Sequence, residues 1–135
     1  MGAGLSTDIR QTSTRLYNRS PSIQKGGQVI AFHSSTKWRI HFESAKQTSK
    51  LMVVDFTASW CGPCRYIDPA INEFAVKYTD VDFIKIDVDE LFDVAQDFGV
   101  QAMPTFLLMK RGKIVDKVVG AKKDDLQKKI DKHRF

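Results

Sequence analysis

Only two cysteines occur in 135 residues, which excludes a disulfide-dense secreted scaffold. No run approaches the roughly 18 uncharged apolar residues of a membrane-spanning helix. The most apolar stretches, Leu51–Val54 and Phe106–Met109, have the length of buried strands. Residues 1–28 lack the apolar core of about seven residues that a secretory signal needs. A second cysteine pair is missing, and His33, His41 and His133 show no ligand spacing, so one chain does not supply the four donors of a zinc site. Zinc shared across a dimer would need those donors from two chains. There is no internal repeat, and no basic face with interleaved aromatics of the kind that binds nucleic acid.

What is present suits one folded domain with a basic leader. The length is enough for one ordinary domain and too short for two. An apolar content of 42% excludes a wholly disordered chain. The net charge is +5, and Arg10, Arg15, Arg19 and Lys25 against Asp8 place +3 of it in residues 1–28. That stretch is rich in Ser, Thr, Gln, Arg and Gly, and cannot bury enough apolar surface to offset its ordering entropy. We read 1–28 as a mobile N-terminal extension and 29–135 as the domain. Near the C-terminus, Lys122, Lys123, Lys128, Lys129, Lys132 and Arg134 are diluted by Asp124, Asp125 and Asp131, as on a solvated helix face.

From Val29 onward the periodicities alternate. Val29–Phe32 reads as a short strand. Ser34 or Ser35 then caps a helix to about Gln47, with Trp38, His41, Phe42 and Ala45 on one face. Leu51–Thr57 is an apolar run interrupted only by Asp55, as in a strand covered on both sides. Ile67, Ala70, Ile71, Phe74 and Tyr78 recur at helical spacing, with Pro69 predicting a kink. Val81–Asp87 is a further buried strand, and Leu91, Val94, Ala95 and Phe98 mark a helix that Gly99 ends. Thr105–Lys110 and Lys113–Val119 flank a two-residue hairpin turn, Arg111-Gly112. Leu126 and Ile130 anchor a last helix. This order predicts an α/β fold, a mixed five-stranded sheet with helices on both faces.

Both cysteines lie in Trp60-Cys61-Gly62-Pro63-Cys64, where a strand gives way to a helix. Three-residue spacing on a first helical turn brings the two sulfurs within bonding reach. The Cys61 sulfur falls at the helix N-terminus, where unpaired amides and the positive dipole end favour a thiolate. Gly62 lets the backbone turn tightly, and Pro63 suits an early helical position whose N–H has no partner to lose. Cys64 lies one turn in and is more shielded. The geometry predicts attack by Cys61 on a substrate disulfide and resolution by Cys64.

The pentapeptide on this boundary resembles the active site of thioredoxins, and the resemblance covers about residues 29–135. Asp55, six residues before Cys61, matches their buried strand carboxylate. Met103-Pro104-Thr105 matches the segment that carries their cis-proline. Pro69, Lys85 and Gly120 fall where the family places a helix proline, a lysine near the buried carboxylate and a glycine bordering the docking groove. Thr-Ala-Ser before Trp60, and the extended N-terminus, are similar to plant h-type thioredoxins. Thr57 departs from the bacterial pattern, which has a second tryptophan there, so Trp60 stands alone beside the cysteines.

The resemblance implies the thioredoxin fold and a protein-disulfide reductase that binds no prosthetic group. Its Cys61-Cys64 disulfide would be reduced by NADPH through thioredoxin reductase, or by glutathione with glutaredoxin. Catalytic Cys61 and Cys64 would be served by Asp55 in proton transfer, with Lys85 in support. Trp60, Gly62, Pro63, Met103, Pro104, Thr105 and Gly120 would contact disulfide-containing target proteins. The chain would act as a monomer in the cytoplasm. For Asp55 the competing reading is a structural carboxylate paired with Lys85; for Trp60 a packing aromatic; for Pro104 a turn proline; for Gly120 a plain strand-end glycine. A disulfide oxidase or isomerase is the enzymatic alternative, and a membrane-tethered module binding through the same groove is the non-enzymatic one.

Met1-Gly2-Ala3-Gly4-Leu5-Ser6 fits the N-myristoylation pattern, which makes Gly2 a lipidation candidate and predicts a pool at the membrane surface. The rival reading is a mitochondrial transit peptide, because the segment is rich in Arg and Ser, has one acid, and sets Leu5, Ile9 and Leu16 on one weakly apolar arc.

Overall fold

Strands and helices alternate from Val29 to His133 in the computed structural model, which describes residues 27–135. The strands are β1 (Val29–Phe32), β2 (Met52–Thr57), β3 (Asp82–Asp87), β4 (Thr105–Lys110) and β5 (Lys113–Val119). The helices are α1 (Ser35–Ala45), α2 (Gly62–Lys77), α3 (Phe92–Asp97) and α4 (Lys123–His133). The strands form one sheet in the order β1-β3-β2-β4-β5. β3 runs parallel to β1 and β2, whereas β4 is antiparallel to both β2 and β5. Sequence order and mixed sheet are those expected.

Every residue of β2 is buried, so its alternation must satisfy two interiors. Met52, Val54 and Phe56 enter a core that includes Trp38 from α1 and Val94 and Ala95 from α3. Leu51 and Val53 enter the opposite core, with Ile67, Ile71 and Phe74 from α2 and Leu126 and Ile130 from α4. Helices therefore cover both faces. Each fully buried Leu, Ile, Val or Phe side chain contributes about 1.5–3 kcal/mol, so the two layers supply most of the drive to fold. Asp55 has the parity of Val53 and takes its place on the face that α2 covers.

Local chemistry sets the boundaries. Of the two candidate serines, Ser34 caps α1, its hydroxyl accepting the Lys37 N–H at 3.2 Å. The helix ends at Ala45, short of the expected Gln47. α2 runs on through Pro69 to Lys77, so the proline does not end it. α3 is confined to six residues, with Leu91 and Phe98 as its flanks, and Gly99 leaves it at φ 67°. The β4–β5 turn has positive φ at both Arg111 (52°) and Gly112 (80°), the type I′ geometry that matches strand twist. Among the described residues, no helix is long and apolar enough to cross a membrane.

Candidate active site

β2 delivers the chain to the site. Beyond Thr57, Ala58 is buried, Ser59 and Trp60 are exposed, and Cys61 begins the next helix. Cys61 is the N-cap of α2: its backbone is extended (φ −88°, ψ 112°), and its Sγ accepts the Cys64 N–H at 3.2 Å. A sulfur thus occupies the position that a Ser or Asp oxygen usually holds at a helix start. Pro63 falls in the first turn, where the missing N–H leaves nothing unpaired. Cys61 and Cys64 are joined in a disulfide. Cys61 is 4% exposed and Cys64 1%, while the intervening Gly62 and Pro63 are exposed. The pair is thus flanked by exposed Trp60, Gly62 and Pro63.

Distant elements close around the disulfide. The Met103–Pro104 peptide is cis, and the Met103 carbonyl oxygen lies 3.7 Å from Cys61 Sγ. The Pro104 carbonyl accepts the Gly120 N–H at 2.8 Å, and Gly120 has φ 101°, which only glycine adopts without strain. Thr105 is buried, and its hydroxyl donates to the Ala102 carbonyl at 2.6 Å. The segment before β4 is thereby held against both the end of β5 and the outer cysteine. Trp60 is 65% exposed, and its indole N–H donates to Asp89 Oδ2 at 2.9 Å. The ring is pinned at its edge while its faces meet solvent. Trp38, the other tryptophan, is buried in the core cluster that also holds Cys61 and Cys64.

Asp55 is the electrostatic anomaly. Its side chain is buried, its Oδ1 has no hydrogen-bond partner, and the residue is 2% exposed. Burial pushes its carboxyl up to about 7; the nearby Asp68 charge adds to the rise and Lys85 opposes it. Lys85 is the residue in register with Asp55 across β2 and β3, yet its Nζ contacts Asp68 Oδ2 at 3.3 Å. The structural reading in which Lys85 is tied to Asp55 is corrected accordingly: the ion pair runs from β3 to α2. Beside it opens a cavity of about 480 Å³ lined by residues that include Thr57, Arg65, Asp68 and Lys85.

Sequence reasoning missed three participants. Asp89 and Asp68 hold Trp60 and Lys85, and Arg65 donates to the Ser59 carbonyl at 2.7 Å, bracing the loop before Trp60. Asp68 had a signal, since it lies four residues after Cys64 and so one turn along the same helix face. Asp89 had none, being 29 residues from the ring it holds. Gly2 and nearly all of the 1–28 extension lie outside the described residues. Among the described residues, no three His, Cys, Asp or Glu side chains are grouped as metal ligands would be.

The family model for thioredoxin matches residues 31–132. The chain belongs to the thioredoxin family. It is 59% identical over 107 residues to Thioredoxin H2 of Arabidopsis thaliana, covering 79% of this chain and 80% of that protein. Among solved structures, the thioredoxin NaTrxh of Nicotiana alata is 67% identical, with a TM-score of 0.80 over 84% of this chain and 99% of that one. The poplar thioredoxin h PtTrxh4 is 38% identical, with a TM-score of 0.74 over 78% and 96%. The similarity to plant h-type thioredoxins is thus strong. As a thioredoxin with a Cys-x-x-Cys disulfide, the protein is a thiol-disulfide oxidoreductase of the protein-disulfide reductase kind. The oxidase or isomerase alternative is not favoured.

Proposed function

We propose that Cys61 and Cys64 divide the reduction of a target protein's disulfide between them. The observation that carries this reading is the Cys64 amide donating to Cys61 Sγ at the start of α2. An amide hydrogen bond and the helix dipole both favour a negative sulfur there, so Cys61 is the attacking thiolate. It forms a bond to one target sulfur, and the target's own S–S bond breaks, releasing a thiolate. Asp55 takes the Cys64 proton, through water. The Cys64 thiolate then attacks Cys61, the Cys61–Cys64 bond forms, and the second target thiolate leaves. Two electrons pass from the dithiol to the target.

The other residues serve docking. The Met103 and Pro104 backbone, with Thr105 behind it, borders the sulfur and suits an extended target segment. Trp60, Gly62 and Pro63 supply the exposed rim, and Gly120 admits close approach. Lys85 supports proton transfer from its place beside Asp55. The disulfide is returned to the dithiol by NADPH through thioredoxin reductase or by glutathione with glutaredoxin. Supplying each donor system in turn to the oxidised protein, with insulin as target, tests turnover and donor together. Insulin reduction sustained by at least one donor is expected. Binding of insulin without reduction under either donor, or under dithiothreitol, would overturn the reading in favour of a binding module.

We place the protein in the cytoplasm as a monomer, with a membrane-associated pool held by myristoylated Gly2. One acyl chain binds membranes only marginally, so a second attraction is required. No cysteine lies in residues 1–28 to accept a palmitoyl group, and the basic surplus of Arg10, Arg15, Arg19 and Lys25 supplies about 1 kcal/mol per charge against anionic lipid. Gly2→Ala should move this pool to the soluble fraction with insulin reduction unchanged, and added salt should do so in part. Retention of Gly2→Ala by mitochondria would favour the transit-peptide reading.

A further inference from the structure

Asp55 and Lys85 are Cα partners on adjacent parallel strands, which places both side chains on the face that α2 covers. A lysine in that register is the obvious counter-ion for a buried carboxylate. Instead its Nζ lies 3.3 Å from Asp68 Oδ2, and Asp55 Oδ1 has no hydrogen-bond partner. Asp68 stands on α2 one turn beyond Cys64 and lines the same cavity as Lys85 and Thr57. We propose that Asp68 is a positioning residue for disulfide exchange: by engaging Lys85 it leaves Asp55 uncompensated and free to exchange a proton with Cys64.

Two effects act in the same direction. The Asp68 charge disfavours a second negative charge on Asp55, and the Asp68–Lys85 ion pair keeps the ammonium from approaching Asp55. Among the described residues, the other charged side chains at the cavity are engaged elsewhere. From α2 come Cys64, Arg65 and Asp68, with Arg65 turned to the Ser59 carbonyl. From β3 come Lys85 and, at the cavity, Asp87, whose carboxylate accepts the Asp89 and Glu90 N–H groups. From the end of β1 comes His33, 2.9 Å from Glu90. β4 presents apolar Phe106 in register with Asp55. Removing Asp68 would remove a like charge and release Lys85 toward Asp55, so both changes favour the Asp55 carboxylate.

The inference rests on the reading of Asp55 as proton acceptor for Cys64, and the test separates the two. Carbon-13 labelling of aspartate lets the Asp55 carboxyl be titrated in the oxidised protein, where neither cysteine ionises. Asp68→Asn should move the Asp55 midpoint toward acid by roughly one pH unit, Lys85→Gln should move it toward base, and Asp68→Glu should restore it. The pH midpoint for release of a trapped target by Cys64 should shift with the Asp55 midpoint in the single variants, and that pH dependence should vanish in Asp55→Asn. An Asp68→Asn midpoint equal to wild type, with only the urea midpoint lowered, overturns the inference and makes the ion pair structural. If that occurs while Asp55→Asn still flattens the release profile, Asp55 keeps its role. A wild-type release profile in Asp55→Asn overturns both.

Discussion

Asp55 sits where an apolar strand would be more stable and a proton acceptor is useful. With its carboxyl raised to about 7 from 3.8, the folded protein holds a proton that the unfolded chain has already lost. The unfolded state ionises from about pH 4 upward and the folded state only near 7. The contribution of Asp55 to stability is therefore fullest below pH 4, falls as pH rises through this window, and levels off above 7. The loss corresponds to on the order of 4 kcal/mol at one pH unit per 1.36 kcal/mol. Asp55→Asn should accordingly unfold at a higher urea concentration than wild type at pH 8, with the advantage gone by pH 4. The same variant should reduce disulfides more slowly at pH 7. A pH-independent stability difference would contradict the burial argument. The strand position of Asp55 and its separation from Cys61 were legible in the sequence. The partner of Lys85 was not, because strand register names the opposite residue while a helix supplies the competing acid.

Among elements, α4 is fastened by a polar clasp as well as by Leu126 and Ile130. Asp116 on β5 receives Lys129 Nζ at 3.0 Å and His133 Nε2 at 2.9 Å. The His133 hydrogen bond is the chief reason its carboxyl is pushed down to about 2. A lowered acid stabilises the fold above its unfolded value of 3.8, and that contribution disappears as pH falls through about 2. Asp116→Asn should lower stability by about 1 kcal/mol at neutral pH, read from the urea midpoint, and by less at pH 3. The hairpin preceding α4 was legible because Arg111-Gly112 separates two apolar runs, and α2 because its apolar residues recur on one face. The ends of α1 and α3 were less so. The Ala45 terminus lies two residues before the expected Gln47, since no glycine or proline marks it. α3 closes after six residues, its apolar Leu91 and Phe98 packing as flanks rather than as helical turns.

Over the whole molecule, two cores of opposite parity hold the central strand β2 rigid, and the reactive pair sits where that strand meets a helix N-terminus. Loops from three other places complete the site: Asp89 after β3, Met103 and Pro104 before β4, and Gly120 after β5. The Cys-x-x-Cys unit made the chemistry readable from sequence, since two thiols on one helical turn have few other uses in a chain without further ligands. The bracing by Asp89 and Arg65 was not readable, because such contacts depend on how separate loops meet in space.

Trapping with the two single-cysteine variants measures the division of labour between the sulfurs. Each variant is reduced, mixed with a disulfide-bonded target, and analysed by non-reducing electrophoresis and mass spectrometry. Cys64→Ser should accumulate a covalent adduct through Cys61, because attack is intact and resolution is lost. Cys61→Ser should form little adduct and reduce no target. An adduct through Cys64 in Cys61→Ser, with none in Cys64→Ser, would reverse the roles and contradict the assignment of the helix-capping sulfur as nucleophile.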